Sequence, residues 1–447
     1  MFINIFPNKD CTITDVTING VGKSGSNTGA SEILELYSLT SSTDSIGKSR
    51  ILLNFDINSL SSSVASGDVP IGALFKLKLK HAAHAETLPY SYDVDVAPLS
   101  QSWAEGRGLS MYDEGLKDGG IANWSRATTV VNWSISGSSY LSASSLTASQ
   151  YFETGLEDLN VDISNIVRGW ISGTIPNHGL IIKYSPAYES LNQDLYVKKF
   201  FSRNVHATER TPAITTFWDD SIQDDRTNMK YGITGSLFYY RKIDGQLASV
   251  GNTVFVNILN SSSTVVQTLT ASTSKTGIYY VSGALVSVTS STQIFRDVWF
   301  NGATQYFTGN FTPRHETGSI SLGADEITLD IPNLQTYTYG SRPLVRVFAR
   351  NKDYRPALAS YAAQTPTPVL LNDAYYQISN AETEDVIVDF STGSLKYSKL
   401  SYDKDGNYFI LRTDSLKPEY IYKIKIFANW AGQTIVFDKD FTFKVET

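Results

Sequence analysis

The residues able to do chemistry are few and scattered. The stretch NGVGKSGSNTG (19–29) places Gly20, Gly22 and Gly25 in G-x-G-x-x-G spacing, and Gly22-Lys23-Ser24 reads like the end of a phosphate-binding P-loop. Such loops hold phosphate through backbone amides at the start of a helix. The P-loop glycine five residues before Gly22 is replaced by Thr17, and Ser, Asn, Thr and Gly follow where a helix should begin. The expectation is a surface loop between strands. The five histidines are His81, His84, His178, His206 and His315, and only His81 and His84 are close. At a strand end their rings diverge, and no acidic or thiolate ligands cluster nearby, so no metal is expected. Glu86, Glu105, Asp113 and Glu114 fall in one loop-rich region, where paired acids could cleave a glycosidic bond. Surface carboxylates in polar loops are the commoner outcome. No G-x-S-x-G elbow stands between a strand and a helix. Asp403-Lys404-Asp405-Gly406-Asn407 begins like a calcium loop but lacks the acid at position twelve, and a hairpin turn fits better. The expected catalytic, cofactor-binding and metal-binding residues are therefore none.

Aromatic residues give the remaining signal. Trp103, Trp124, Trp133 and Trp170 all lie in the first half of the chain. Exposed rings can stack on sugars, whereas buried rings fill cores. Trp170 is assigned to the core, and Trp103 and Trp124 are the candidate glycan contacts.

The elements that would position these residues are strands. Phe75, Leu77 and Leu79 alternate with Lys76, Lys78 and Lys80, and period-two runs recur at Ile51-Leu53-Phe55, Tyr92-Val94-Val96 and Val254-Val256-Ile258. Clusters such as SGSNTGAS, SLTSSTDS and NSSST punctuate them as turns do. One segment reads as helix: Ile163, Ile166, Val167, Trp170 and Ile171 have helical spacing, with Ser164 as N-cap and Gly173 as stop. Breaks fall at the acidic stretch 218–232 and near 312–318. The fold expected is all-β, with three β-sandwiches in series: jelly-roll-like over 1–217, Ig-like over 218–315, and a C-terminal Ig-like sandwich over 316–447. The acidic stretch would set the angles between them. No short internal repeat or heptad pattern is present.

Bulk properties narrow the partners. With 447 residues, 37 Lys+Arg against 44 Asp+Glu and a net charge of −7, the chain lacks the basic balance of a nucleic-acid binder. One cysteine excludes an intramolecular disulfide framework. No apolar run is long enough for a membrane-spanning helix, and MFINIFPNKD lacks the basic and apolar regions of a signal peptide. Synthesis in a cytosol is expected.

In the first half, several motifs follow one another in a recognisable order. They are KDCTI, a Gly/Asn-rich loop, Ser49-Arg50 before ILLNFDI, Ala97-Pro98-Leu99, Trp103-Ala104-Glu105-Gly106, Ala122-Asn123-Trp124, Val161-Asp162-Ile163, Trp170, and Asn177-His178-Gly179 before LIIK. This order resembles the DNRLRE family, a carbohydrate-binding-module-like β-sandwich. The resemblance covers about residues 1–217. It implies one of two settings, a bacteriophage virion or a secreted polysaccharide-active protein. The lack of an export signal favours the virion, in a protein made in the host cytoplasm. The implied role is a non-enzymatic neck, collar, tail or fibre subunit without cofactors. Its partners would be copies of itself in a symmetric homo-oligomer, other virion proteins and a host surface glycan. The alternative is a secreted or surface carbohydrate-binding or polysaccharide-degrading protein.

Overall fold

The computed structural model describes residues 1–40, 45–83, 91–110, 121–190, 195–287, 293–315, 326–352 and 368–447. Nearly all of its regular structure is antiparallel β-sheet, in three sandwiches that follow one another along the chain. In the first, a four-stranded sheet runs in the order Phe2–Ile5, Ala213–Phe217, Leu74–Leu79, Leu159–Asp162. It faces a nine-stranded sheet centred on Ser45–Phe55 and Leu180–Tyr184. Phe75, Leu77 and Leu79 point inward from the small sheet and meet Ile51, Leu53, Phe55, Val94 and Val96 from the large one. Their alternation with lysines follows from the pleat, which sends successive side chains to opposite faces. Lys78, on the outer face, lies over the Phe217 ring with its ammonium 4.7 Å from the centroid. Burial pushes its pKa down to about 8.

The helix expected after Asp162 is present as Ser164–Ser172, closed by Gly173 at φ 72°. It seats Ile166, Val167 and Trp170 in the first core. Its start differs from expectation. Asp162, not Ser164, supplies the cap-like carboxylate, accepting from the Ser164 amide at 2.8 Å. Ser164 is instead the first helical residue, and its hydroxyl accepts the Phe75 amide across to the neighbouring strand. A second helix, Asn58–Ala65, lies on a Ser-rich segment with weak helical preference. It forms because Leu60 is buried in the same core.

The nine-stranded sheet carries apolar residues on both faces. Cys11, Ile13, Leu52, Ala97, Leu99 and Ile181 point away from the first core into a second cluster, roofed by Trp103, Ala122, Trp124, Ala127 and Trp133. The first sandwich is therefore three layers deep among the described residues, with an irregular outer layer drawn from residues 100–110 and 121–140.

The middle sandwich packs three strands (Gly235–Tyr240, Ile278–Gly283, Ser272–Lys275) against four (Val265–Thr270, Phe255–Leu259, Phe295–Asn301, Thr304–Phe311). Its core centres on Trp299, Leu237, Val254, Val256 and Ile258. The C-terminal sandwich packs a four-stranded sheet against a five-stranded one, in which Tyr337–Thr338 runs parallel to Gln433–Glu446. Asp403 and Gly406 pair across the hairpin between Ser401–Asp403 and Gly406–Ile410, so the calcium-like run is a turn. Asp403 spends its carboxylate on the Arg346 fork at 2.6 and 2.8 Å.

In space the three bodies are gathered rather than strung out. The acidic stretch after Phe217 is bound into its neighbours rather than left as a free linker. The Tyr402 amide donates to the Ile222 carbonyl at 2.9 Å, and the Asp224 amide donates to the Tyr402 carbonyl at 3.1 Å. The Ile222 amide also donates to Ser401 Oγ. Asp225 accepts from the Ser236 amide of the middle sandwich and from the Tyr402 hydroxyl of the C-terminal one, both at 2.8 Å. Arg226 pairs with Asp297, which is fully buried. The acids of this stretch thus find donors on both neighbours, which clamps the segment. The first sandwich also touches the third: Phe2 belongs to the C-terminal core, and Lys417 donates to Thr211 at 2.5 Å.

Candidate functional site

The residues singled out from the sequence are mostly structural in the fold. Trp103 is 3% exposed and Trp124 8%. Trp103 Nε1 donates to the His178 carbonyl at 3.0 Å. The Arg50 guanidinium lies over Trp124, 5.1 Å from the ring, and forks onto Glu189 at 2.9 and 2.8 Å. Neither ring offers a face to a sugar, so the expected stacking platform gives way to a core role. The physical reason is the doubly apolar central sheet, whose second face must be covered. Trp133 and Trp170 are buried as well.

The motifs that carry the resemblance interlock in this outer layer. Asn27 donates to the Ala122 carbonyl at 2.9 Å, and its side-chain oxygen accepts from the Gly29 and Gly108 amides. A Cβ on Gly106 would stand 1.7 Å from the Asn27 amide, so the backbone approach requires glycine there. Glu105 accepts the Asp10 amide at 2.7 Å and both arms of Arg203 at 2.9 and 2.7 Å. Glu105 is thus a structural anchor. Asp10 beside it is fully buried, and burial pushes its carboxyl up to about 7. The glycine-rich stretch opens as a short hairpin (Thr17–Ile18 with Val21–Gly22), and its second half is this buried clip, not a free loop.

Three of the remaining chemical candidates lie in contacts of the fold. His81 Nδ1 is 2.9 Å from Lys198 Nζ, a fully buried amine that also donates to the Gly155 and Glu157 carbonyls. Burial pushes Lys198 down to about 8. His315 stacks on Tyr231, and His206 lies against Tyr420. His84, Glu86, Asp113 and Glu114 lie outside the described residues. Among the described residues, no three His, Cys, Asp or Glu side chains gather as a metal site.

The site that the sequence did not announce lies where the three sandwiches meet. A cleft of about 590 Å³ opens there. Ser66 and Asp68 enter from the first sandwich, Tyr240, Lys242, Gln246, Leu247 and Lys275 from the middle one, and Leu344, Lys399 and Tyr408 from the third. Clefts of this size at domain junctions are the usual setting for small ligands. Its floor is apolar, with Ile222 and Ile278 buried beside Phe238. Burial raises the Tyr240 phenol well above its ordinary range, and its hydrogen bond to Tyr408 adds to the shift. Tyr240 as a whole residue nonetheless stays 37% exposed. Lys399 is pushed down by burial, then by Lys396, against weaker attraction from Asp219 and Asp373. No spacing in the sequence links residues so far apart. The only prior sign was the excess of polar, weakly periodic residues at 218–232, which marks the joint.

Comparisons add little to this geometry. No family model matches the chain, and no curated protein matches it. Among solved structures it is similar to the N-terminal Ig1-2 module of the Drosophila receptor protein tyrosine phosphatase DLAR. That match has 12% identity, covers 51% of this chain and 95% of that one, and has a TM-score of 0.18. The tandem Ig repeats of Dlar match at 13% identity, 51% and 96% coverage, and the same TM-score of 0.18. The assignment of the fold rests on the strand pairing itself.

Proposed function

We propose that the chain is a non-enzymatic structural subunit of a bacteriophage particle, a component of its neck or collar, tail or fibre. The observation that carries this reading is the clamped joint at 219–228. Residues Ile222 to Arg226 hydrogen-bond to both the middle and the C-terminal sandwich, and Phe2 and Lys417 tie the first sandwich to the third, so the three bodies form one stiff part. A subunit that must hold geometry inside an assembly needs such joints, whereas a flexible surface protein spaces its modules with polar linkers. The resemblance of residues 1–217 to the DNRLRE family supports the phage setting, as an analogy of fold. The partners are further copies of this chain in a symmetric ring or fibre and neighbouring virion proteins. Outward-facing surfaces would meet host glycan.

The test is mass spectrometry of purified phage particles, with negative-stain microscopy of the isolated protein. The expected result is this chain in the particles at a fixed copy number. Recovery from a bacterial surface, with none in particles, overturns the proposal. The second reading is a secreted or surface carbohydrate-binding protein. It is favoured by the three-sandwich cleft, since the tryptophans no longer speak for it.

A further inference from the structure

From the charges and surfaces that line the central cleft, we infer that it is a binding site for an acidic sugar unit, with its carboxylate held by Lys242, Lys275 and Lys399. The acids at the cleft already have partners. Asp68 pairs with Arg342 at 3.2 Å, and Asp220 with the Met1 ammonium at 2.7 Å. Among the described residues, none of the three lysines forms an ion pair. On a chain of net charge −7, a cleft with unpaired cations and neutralised acids is an electrostatic exception. Lys399 is the half-buried member, and burial and Lys396 both disfavour its charge, so an arriving anion would relieve it.

The remaining lining argues for a sugar rather than a bare anion. Leu247 is 39% exposed and Leu344 39%, beside the exposed Tyr240. Three exposed apolar surfaces around one cleft suit the C–H faces of a pyranose ring. Gln246 and Ser66 supply polar groups at the rim for ring hydroxyls. A free phosphate would use the lysines and leave the apolar walls idle. Contributions from all three sandwiches mean that the site exists only in the assembled chain. The inference deepens the glycan-contact part of the proposed function and takes from it only the source of the sugar.

The experiment is titration calorimetry on the purified full chain with N-acetylneuraminic acid, glucuronic acid, glucose and inorganic phosphate. The same set is run on Lys242→Gln/Lys275→Gln/Lys399→Gln, after its melting temperature is shown to be unchanged, and on Tyr240→Ala. The expected result is millimolar binding of at least one acidic sugar. Glucose and the triple variant should each be weaker by about tenfold or more. Loss in Tyr240→Ala as well would separate a sugar from a simple anion. Absence of binding by both acids, undiminished binding in the triple variant, or phosphate binding as tight as the sugar overturns the inference. None of these outcomes changes what mass spectrometry of particles would find, so the two proposals fail separately.

Discussion

The first and middle sandwiches solve the same problem at different depth. In the middle one, Phe255–Leu259 alternates, with Val256 and Ile258 inside and Asn257 turned out, and the edge strand Val265–Thr270 is mostly exposed. Two layers suffice there. In the first sandwich, Ile51, Leu52 and Leu53 are all fully buried, as are Leu180, Ile181 and Ile182. Their outward members, Leu52 and Ile181, would face water in a two-layer fold. The irregular layer with Trp103, Trp124 and Trp133 covers them. A continuous apolar run in a strand therefore signals a covering layer, and alternation signals a bare face. Tryptophans in loops opposite such a run are more economically read as its cover than as a ligand platform.

This contrast should be easiest to break with paired tryptophan substitutions. Removing a buried tryptophan costs roughly 3–5 kcal/mol. Trp299→Ala takes the fully buried centre of the smaller core and leaves Asp297 without its indole donor, 2.7 Å away. The expected outcome is loss of the middle sandwich as a folded unit, seen as new protease cleavage between 235 and 311. Trp103→Ala should instead loosen only the outer layer, with the Phe75-Leu77-Leu79 core intact. If cleavage in Trp103→Ala spread through the first core, the outer layer would be integral to it.

A pH series sharpens the same contrast, because the outer layer contains Asp10. Its folded pKa of about 7 lies above the ordinary 3.8, with burial as the main cause. The folded state therefore binds the proton more tightly than the unfolded state. Stability from this group is greatest below about pH 4, falls as pH rises toward 7, and is level above that. Asp10→Asn should flatten this decline, by an amount on the order of a few kcal/mol, in denaturant titrations at pH 5 and 7.5. An identical slope in both proteins would remove Asp10 as the cause. Asn257→Ala, on the middle sandwich, leaves Asp10 in place and is the control: its pH slope should match that of the unmodified chain.

Smaller effects follow from close backbone approach and from the bare edge. Gly106→Ala forces a Cβ against Asn27, and a loss of about 1–3 kcal/mol is expected, read as a lower melting temperature. Val265→Lys, on a strand exposed at 48% at that position, should change stability by no more than about 0.5 kcal/mol. A large loss there would mean that the edge strand packs against something in solution.

Much of the strand and turn structure was legible in the sequence. The Phe75-Leu77-Leu79 alternation, the helix ended by Gly173 and the Asp405-Gly406 turn all depend on neighbours within a few residues. Asn58–Ala65 was not legible, because its serines speak against a helix and one leucine contact overrides them. Trp103 and Trp124 were legible as important and illegible as to side. The runs ILLNF and LIIK held the missing clue, since both faces of their strands are apolar.

The sequence by itself determined that the chain is mainly β and which residues of its alternating strands face inward, since pleat chemistry acts over a few residues. Only the tertiary structure decided that the tryptophans are a roof, that the acidic stretch at 219–228 is a clamp, and that Lys242, Lys275 and Lys399 share one cleft. Those outcomes depend on which distant surfaces meet. Burial free energy settles that over the whole molecule, and no local pattern records it.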